Sequence, residues 1–246
     1  PVVSILNIVD HLGGDFYFQI VTRDRDIGDT LRYPNITAGE WTDMGRSIVL
    51  YRDPSQESLL HTAHIMRRTP HDAVYLNSFF HRTATILPLM ARRLGMTDDR
   101  PVIVAPRGEL SSGALGLKSS KKRTYIAAAK AWGLYSDVLW QASTKYEAHD
   151  IIKVFGPKAR ICIASNLPRA VSSGLDHTPR ASGQPLRVLF LSRIAPKKNL
   201  KFALDVLART RVPVDFQIIG PVSDPSHWVE CQPVSYTHLT LPTILR

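Results

Sequence analysis

Apolar positions follow a helical period in some stretches and form short β-branched runs in others. Val2, Ile5, Leu6, Val9 and Leu12 share one helical face. Asp15–Thr22 carries the run FYFQIVT, which predicts a buried strand. Arg23–Trp41 is polar and punctuated by Gly, Pro and Asn, which predicts a loop. Further strands are expected at Ser47–Tyr51, Ala73–Leu76, Pro101–Ala105, Val138–Ala142 and Arg160–Ile163. Between them the helical period predicts Gln56–Arg68, Ala84–Leu94, Lys121–Leu134 and Lys145–Val154, with Thr69-Pro70 and Gly95 as stops for the first two. This alternation predicts an α/β fold with a parallel sheet covered on both faces.

Val171–Gln184 is polar, rich in turn residues and aperiodic, so it reads as a linker. The αβ pattern then restarts, with a strand at Leu186–Leu191, a helix at Asn199–Arg209 and a strand at Val214–Ile219 before Gly220-Pro221. The expected organisation is a Rossmann-like domain over 1–168, a linker over 169–184 and a second Rossmann-like domain over 185–232. The second is too short for an independent core and is expected to be incomplete. From Val234 the chain reads VSYTHLTLPTILR, uncharged until the terminal Arg. Residues 233–246 are expected to be a non-native tail, of the kind left by adaptor or assembly read-through.

Composition narrows the partners. The 246 residues are 44% hydrophobic and carry a net charge of +10, so anionic partners are favoured. No apolar run approaches the roughly 18 residues of a membrane span. No basic start or cleavage site of a signal peptide is visible. Cys162 and Cys231 are the only cysteines, which argues against a disulfide framework and fits a reducing cytoplasm.

In parallel sheets the chemistry sits beyond the C-terminal strand ends. Here those ends are Asn77-Ser78, Arg107-Gly108 and Ser143-Thr144. Arg107 could hold a phosphate there or pair locally with Glu109. The loop Ser111–Lys122 could cover that cleft, meet anionic lipid headgroups or be a solvated basic loop. The second domain offers Ser192-Arg193-Ile194-Ala195-Pro196-Lys197-Lys198-Asn199-Leu200, where a strand ends in Ser-Arg and a helix follows two lysines. Arg193 can fork onto phosphate oxygens and Lys198 can add a point charge, beside helix N–H groups that attract anions. An exposed loop with solvating lysines is the alternative.

The stretch LRVLFLSRIAPKKNLKFALDVLA resembles the start of the C-terminal domain of family 4, group 1 glycosyltransferases. The segments Ile20–Asp26 (IVTRDRD), Val104–Leu110 (VAPRGEL), Ala142–Glu147 and Ile163–Pro168 are similar to further segments of that family, in the same order. The resemblance covers nearly all of residues 1–232. It implies the GT-B architecture, two facing Rossmann-like domains, and retaining transfer of a sugar from a nucleotide-diphospho-sugar to a saccharide or lipid-linked acceptor. Arg193 and Lys198 would bind the donor diphosphate, and Asn77, Ser78, Arg107, Gly108, Glu109 and Ser143 would line the acceptor cleft. No catalytic residue is assigned. No metal or other cofactor is expected, the nucleotide-sugar being a co-substrate. The resemblance also implies a cytoplasmic protein with peripheral contact to the anionic inner membrane face. The family more often has Gly where Asn199 stands. Its first strand and glycine-rich turn are expected before residue 1, and its Glu-x7-Glu motif downstream of Gly220, so this stretch by itself is expected to be inactive.

Other chemistry is less well supported. A non-catalytic anion- or nucleic-acid-binding α/β protein would suit the charge, but no nucleic-acid motif is present and no specific nucleic acid is expected. No G-x-G-x-x-G follows a strand, which disfavours a dinucleotide oxidoreductase. His61 and His64 share a helical face without a third ligand, and His227 and Cys231 are likewise helically spaced. Asp24 and Asp26 flank Arg25 and read as loop anchors rather than metal ligands.

Overall fold

The computed structural model describes residues 2–26, 29–116, 119–169, 183–238 and 243–244. The chain divides into two compact units, Pro1–Ser172 and Ser173–Arg246. Most of the expected linker, residues 170–182, lies outside the described residues, as do Lys118 and, in the tail, residues 239–242 and 245–246.

The first unit runs α1 (Val2–Leu12), β1 (Phe18–Arg23), β2 (Trp41–Asp43), β3 (Ser47–Arg52), α2 (Leu59–Arg68), β4 (Val74–Asn77), α3 (Leu87–Arg93), β5 (Val102–Ala105), α4 (Ser112–Gly116), α5 (Ser119–Ala131), β6 (Val138–Ala142), α6 (Lys145–Phe155) and β7 (Arg160–Ile163). The expected single sheet is two. β4-β5-β6-β7 is wholly parallel, whereas β1-β3-β2 is mixed. The mixing comes from Trp41–Asp43, which pairs antiparallel with β3 across a hairpin containing Gly45 at φ +80°. Three residues are too few to carry an alternating signal, so the pattern placed Trp41 in a loop.

Helix boundaries follow local chemistry. Ser58 caps α2 by accepting from His61 N at 3.1 Å, which starts the helix three residues after the expected Gln56. The expected Ala84–Leu94 helix begins instead as a π-helical turn, Arg82–Ile86, before α3. Thr144, not Ser143, caps α6 by accepting from Glu147 N at 3.1 Å. Thr144 and Glu147 have the T-x-x-E spacing of a capping box.

The core lies on one face of β4–β7. Leu76, Val102, Val104, Val138, Trp140 and Ala142 are buried there against Leu89, Ala129, Ala148 and Ile151 of the helices. Phe79 is fully buried among Phe80, Tyr125, Tyr135, Trp140 and Phe155, with its ring stacked 4.9 Å from Tyr135. Burying each such ring contributes on the order of 2–3 kcal/mol. It also fixes the chain just past β4, where candidate residues begin.

The second unit contains β8 (Leu186–Leu191), α7 (Leu200–Leu207), β9 (Val214–Ile219), α8 (Pro225–His238) and β10 (Thr243–Ile244). Its parallel sheet has the order β10-β9-β8. Ile194, Leu200, Leu204, Val214, Phe216, Ile218 and Cys231 form a separate core. The expected tail is not without structure: α8 runs through Pro233 to His238, and Thr243–Ile244 pairs with β9. Both units are therefore α/β with parallel strands.

Candidate functional site

In the first unit, strands β4 to β7 end in one row, and the six residues expected at a cleft gather past those ends. Two of them have unusual backbones: Ser78 at φ +135° and Arg107 at φ +55°. Such conformations cost about 1–3 kcal/mol each and persist only where surrounding contacts over-determine them. Those contacts are two carboxylates. Glu109 accepts from Ser78 Oγ at 2.9 Å, Phe79 N at 2.6 Å and Phe80 N at 2.9 Å. Glu147, buried, accepts from Gly108 N at 2.6 Å, Ser143 N at 2.7 Å and Ser143 Oγ at 2.6 Å. The N–H groups that would meet an anion here already face the chain's own carboxylates. Ser78, Gly108, Glu109 and Ser143 thus hold the loops in place.

Arg107 is arranged differently. Its Nε donates to Asn77 Oδ1 at 2.6 Å, one terminal nitrogen to the Tyr75 hydroxyl at 2.8 Å and the other to Asn166 Oδ1. All three acceptors are neutral. The alternative expectation of a local Arg107–Glu109 pair is not met, because Glu109 turns toward Ser78–Phe80. Arg107 has no carboxylate partner among the described residues, and two of its five N–H donors remain over. Tyr75 donates onward to Gln141 Oε1, and Gln141 donates to Ala164 O at 3.0 Å. Burial raises the Tyr75 pKa, with Arg107 opposing, so the phenol stays neutral and able to donate. Tyr75, Gln141, Asn166 and Glu147 were not among the expected site residues. The Thr144–Glu147 spacing could have revealed Glu147, and Asn166 lies in the family-like segment Ile163–Pro168; no local pattern marks Tyr75 or Gln141.

A second charged group sits at the ends of β1 and β3. Arg23 forks onto Glu57 at 2.5 and 2.7 Å. Fully buried Asp24 takes Arg25 at 2.7 Å and Arg32 at 2.9 Å, while Asp26 accepts from the Tyr33 hydroxyl at 2.7 Å. These bonds tie the loop to itself. Nearby, burial lowers the His81 pKa, reinforced by Arg23 and opposed by Glu57 and Glu109.

In the second unit the loop after β8 is shaped by Gly220. A Cβ there would lie 2.1 Å from Ser192 O, so only glycine lets the two strand ends approach. Ile194 N donates to Pro221 O at 2.8 Å, and Ser223 N and Asp224 N donate to Ile194 O. This framework holds Ile194 in the core and leaves Arg193 exposed. Pro196–Lys198 forms a 3-10 turn rather than open loop, and α7 begins at Leu200. Asn199 joins them in the left-handed conformation, φ +55° and ψ 41°. The side chains of Arg193 and Lys198 are exposed and make no hydrogen bond or ion pair with any described residue, while the Lys198 backbone N–H donates to Ala195 O at 2.9 Å. In the same unit Cys231 Sγ lies 3.8 Å from His227 Nε2, both buried, and burial raises the thiol pKa. That contact is core packing.

Among the described residues no group of three or more His, Cys, Asp or Glu could hold a metal ion, and no helix is long and apolar enough to cross a membrane. No protein-family model matches the sequence, and no curated protein matches it.

Proposed function

We propose that the chain is part of a retaining glycosyltransferase with the GT-B arrangement, using a nucleotide-diphospho-sugar donor and a saccharide or lipid-linked acceptor. The observation that carries this reading is the loop from Ser192 to Leu200. Two exposed cations without an ion-pair partner among the described residues, Arg193 and Lys198, precede α7 in the chain. Left-handed Asn199 occupies the position where the resembled family more often has Gly, a residue suited to the same backbone. A diphosphate there would meet Arg193 as a fork, Lys198 as a point charge and the free N–H groups of the helix. Stabilising the departing diphosphate is the chemistry such a site contributes, without a resident metal. In the first unit, Arg107 is the ligand-facing cation for an acceptor, with Asn77 and Tyr75 holding its guanidinium. The reaction is assigned to the cytoplasm.

The test is calorimetric titration of UDP and GDP into the chain and into an Arg193→Ala, Lys198→Ala double variant. Weak binding of one nucleotide, lost in the variant and unchanged by EDTA, is the expected result. Absence of binding by the folded chain, or equal binding by the variant, would sink the diphosphate assignment. Gly220→Ala is an independent check: displacing Ser192 and the Arg193 backbone should weaken binding with both cations still present in the sequence.

A further inference from the structure

His81 holds a position that Ser, Thr, Asn or Asp usually fills. Those helix caps offer oxygen lone pairs that survive through the neutral pH range. Ser58 and Thr144 cap α2 and α6 in that way. The turn Arg82–Ile86, which leads into α3, is instead capped by an imidazole. Its Nδ1 accepts from Ala84 N at 3.1 Å and lies 3.3 Å from the Thr83 hydroxyl. A backbone N–H can only donate, so Nδ1 is the bare nitrogen and Nε2 carries the proton. A second proton would therefore land on the very atom that makes the cap.

The turn is tied to the strand-end loops. It is π-helical, a form that recurs at functional sites. Within it, buried Thr85 donates through Oγ1 to Ser78 O at 2.9 Å, and its N–H donates to His81 O at 3.0 Å. Ser78 is the residue held at φ +135° just past β4. Charged groups act on the His81 ring from three other elements: Arg23 at the end of β1, Glu57 before α2 and Glu109 beyond β5. Arg23 opposes a positive ring, and the two acids attract one. Both acids are already engaged, Glu57 by Arg23 and Glu109 by Ser78, Phe79 and Phe80. A charged ring that leaves the cap would compete for them, which supplies the second arrangement a switch requires.

We propose that His81 is an acid-sensitive latch: a second proton on its ring takes the acceptor away from Ala84 N, opens the turn Arg82–Ile86 and loosens the loop that carries Ser78. Burial, then Arg23, favours the neutral ring, so the folded pKa lies below the ordinary value of about 6.5. The latch contributes its full stability above about pH 6.5 and loses it as pH falls from there to the folded value. The device is independent of the transferase reading.

The test is amide hydrogen exchange with histidine side-chain NMR on the whole chain, at about pH 7.5 and about pH 5.5, on either side of the ordinary histidine value. Exchange is corrected for its intrinsic pH dependence. At the higher pH the His81 proton should sit on Nε2 alone. At the lower pH, protection over residues 83–86 should fall about fivefold, the loss that follows a missing cap. Phe79 and Phe80 should lose protection with them, while the opening turn of α6 keeps its own. His81→Asn supplies a cap that does not titrate, so its protection should be the same at both pH values. A proton on Nδ1 at the higher pH, or wild-type protection that does not change, would overturn the latch. So would a loss confined to residues 83–86, or an equal pH response in His81→Asn. The tautomer and wild-type readings need no variant, so they decide the matter even where His81→Asn folds poorly.

Discussion

Glu147 shows how one side chain can join local and long-range order. Its carboxylate faces Gly108 and Ser143 on two different strand-end loops while its own N–H meets the Thr144 cap. Glu147→Ala would leave buried N–H groups without acceptors and should cost roughly 2–3 kcal/mol, measurable by urea unfolding. Substituting exposed Glu40 in the same way should change little. Asp53 carries a pH dependence. The Ser55 N–H and hydroxyl, then Arg32, hold its pKa well below the ordinary value of about 3.9. A depressed carboxylate stabilises the fold above its unfolded pKa, and that contribution is lost as pH falls toward the folded value. Asp53→Asn should therefore lower the urea midpoint at neutral pH and flatten its decline below about pH 4.

Elements are placed here by caps as much as by propensity. Thr144→Ala removes the acceptor for Glu147 N and should destabilise the first unit by about 1 kcal/mol. Amide exchange should rise first in the opening turn of α6, and Thr144→Ser should restore protection. Ser143→Ala should not open the helix in this way, because its hydroxyl serves Glu147 rather than the cap. Strand edges follow another rule. β8 leaves Leu186, Leu189 and Leu191 between 41% and 71% exposed, whereas the inward Val214, Phe216 and Ile218 of β9 are buried. A continuous apolar run announces a strand but does not say which of its faces is covered.

At the scale of the molecule each core belongs to one unit. Leu204 is fully buried among residues of the second. Leu204→Ala should cost about 2–5 kcal/mol there. Hydrogen exchange should then lose protection over 186–219 and keep it over 74–163; loss in both would refute separate cores. Hydrophobic period and turn chemistry were enough to determine the α/β class, the positions of β4 to β9 and the restart of the pattern at Leu186. They were enough because strand and helix signals depend on neighbours in sequence. The strand ends that gather Asn77, Ser78, Arg107, Gly108, Glu109 and Ser143 were legible for the same reason. Only the tertiary structure separated their roles, turning Glu109 toward Ser78–Phe80 and surrounding Arg107 with Tyr75, Asn77 and Asn166. Those partners lie 30 to 59 positions from Arg107. Hydrogen bonds across such spans depend on strand order and register, which no local pattern of residues encodes.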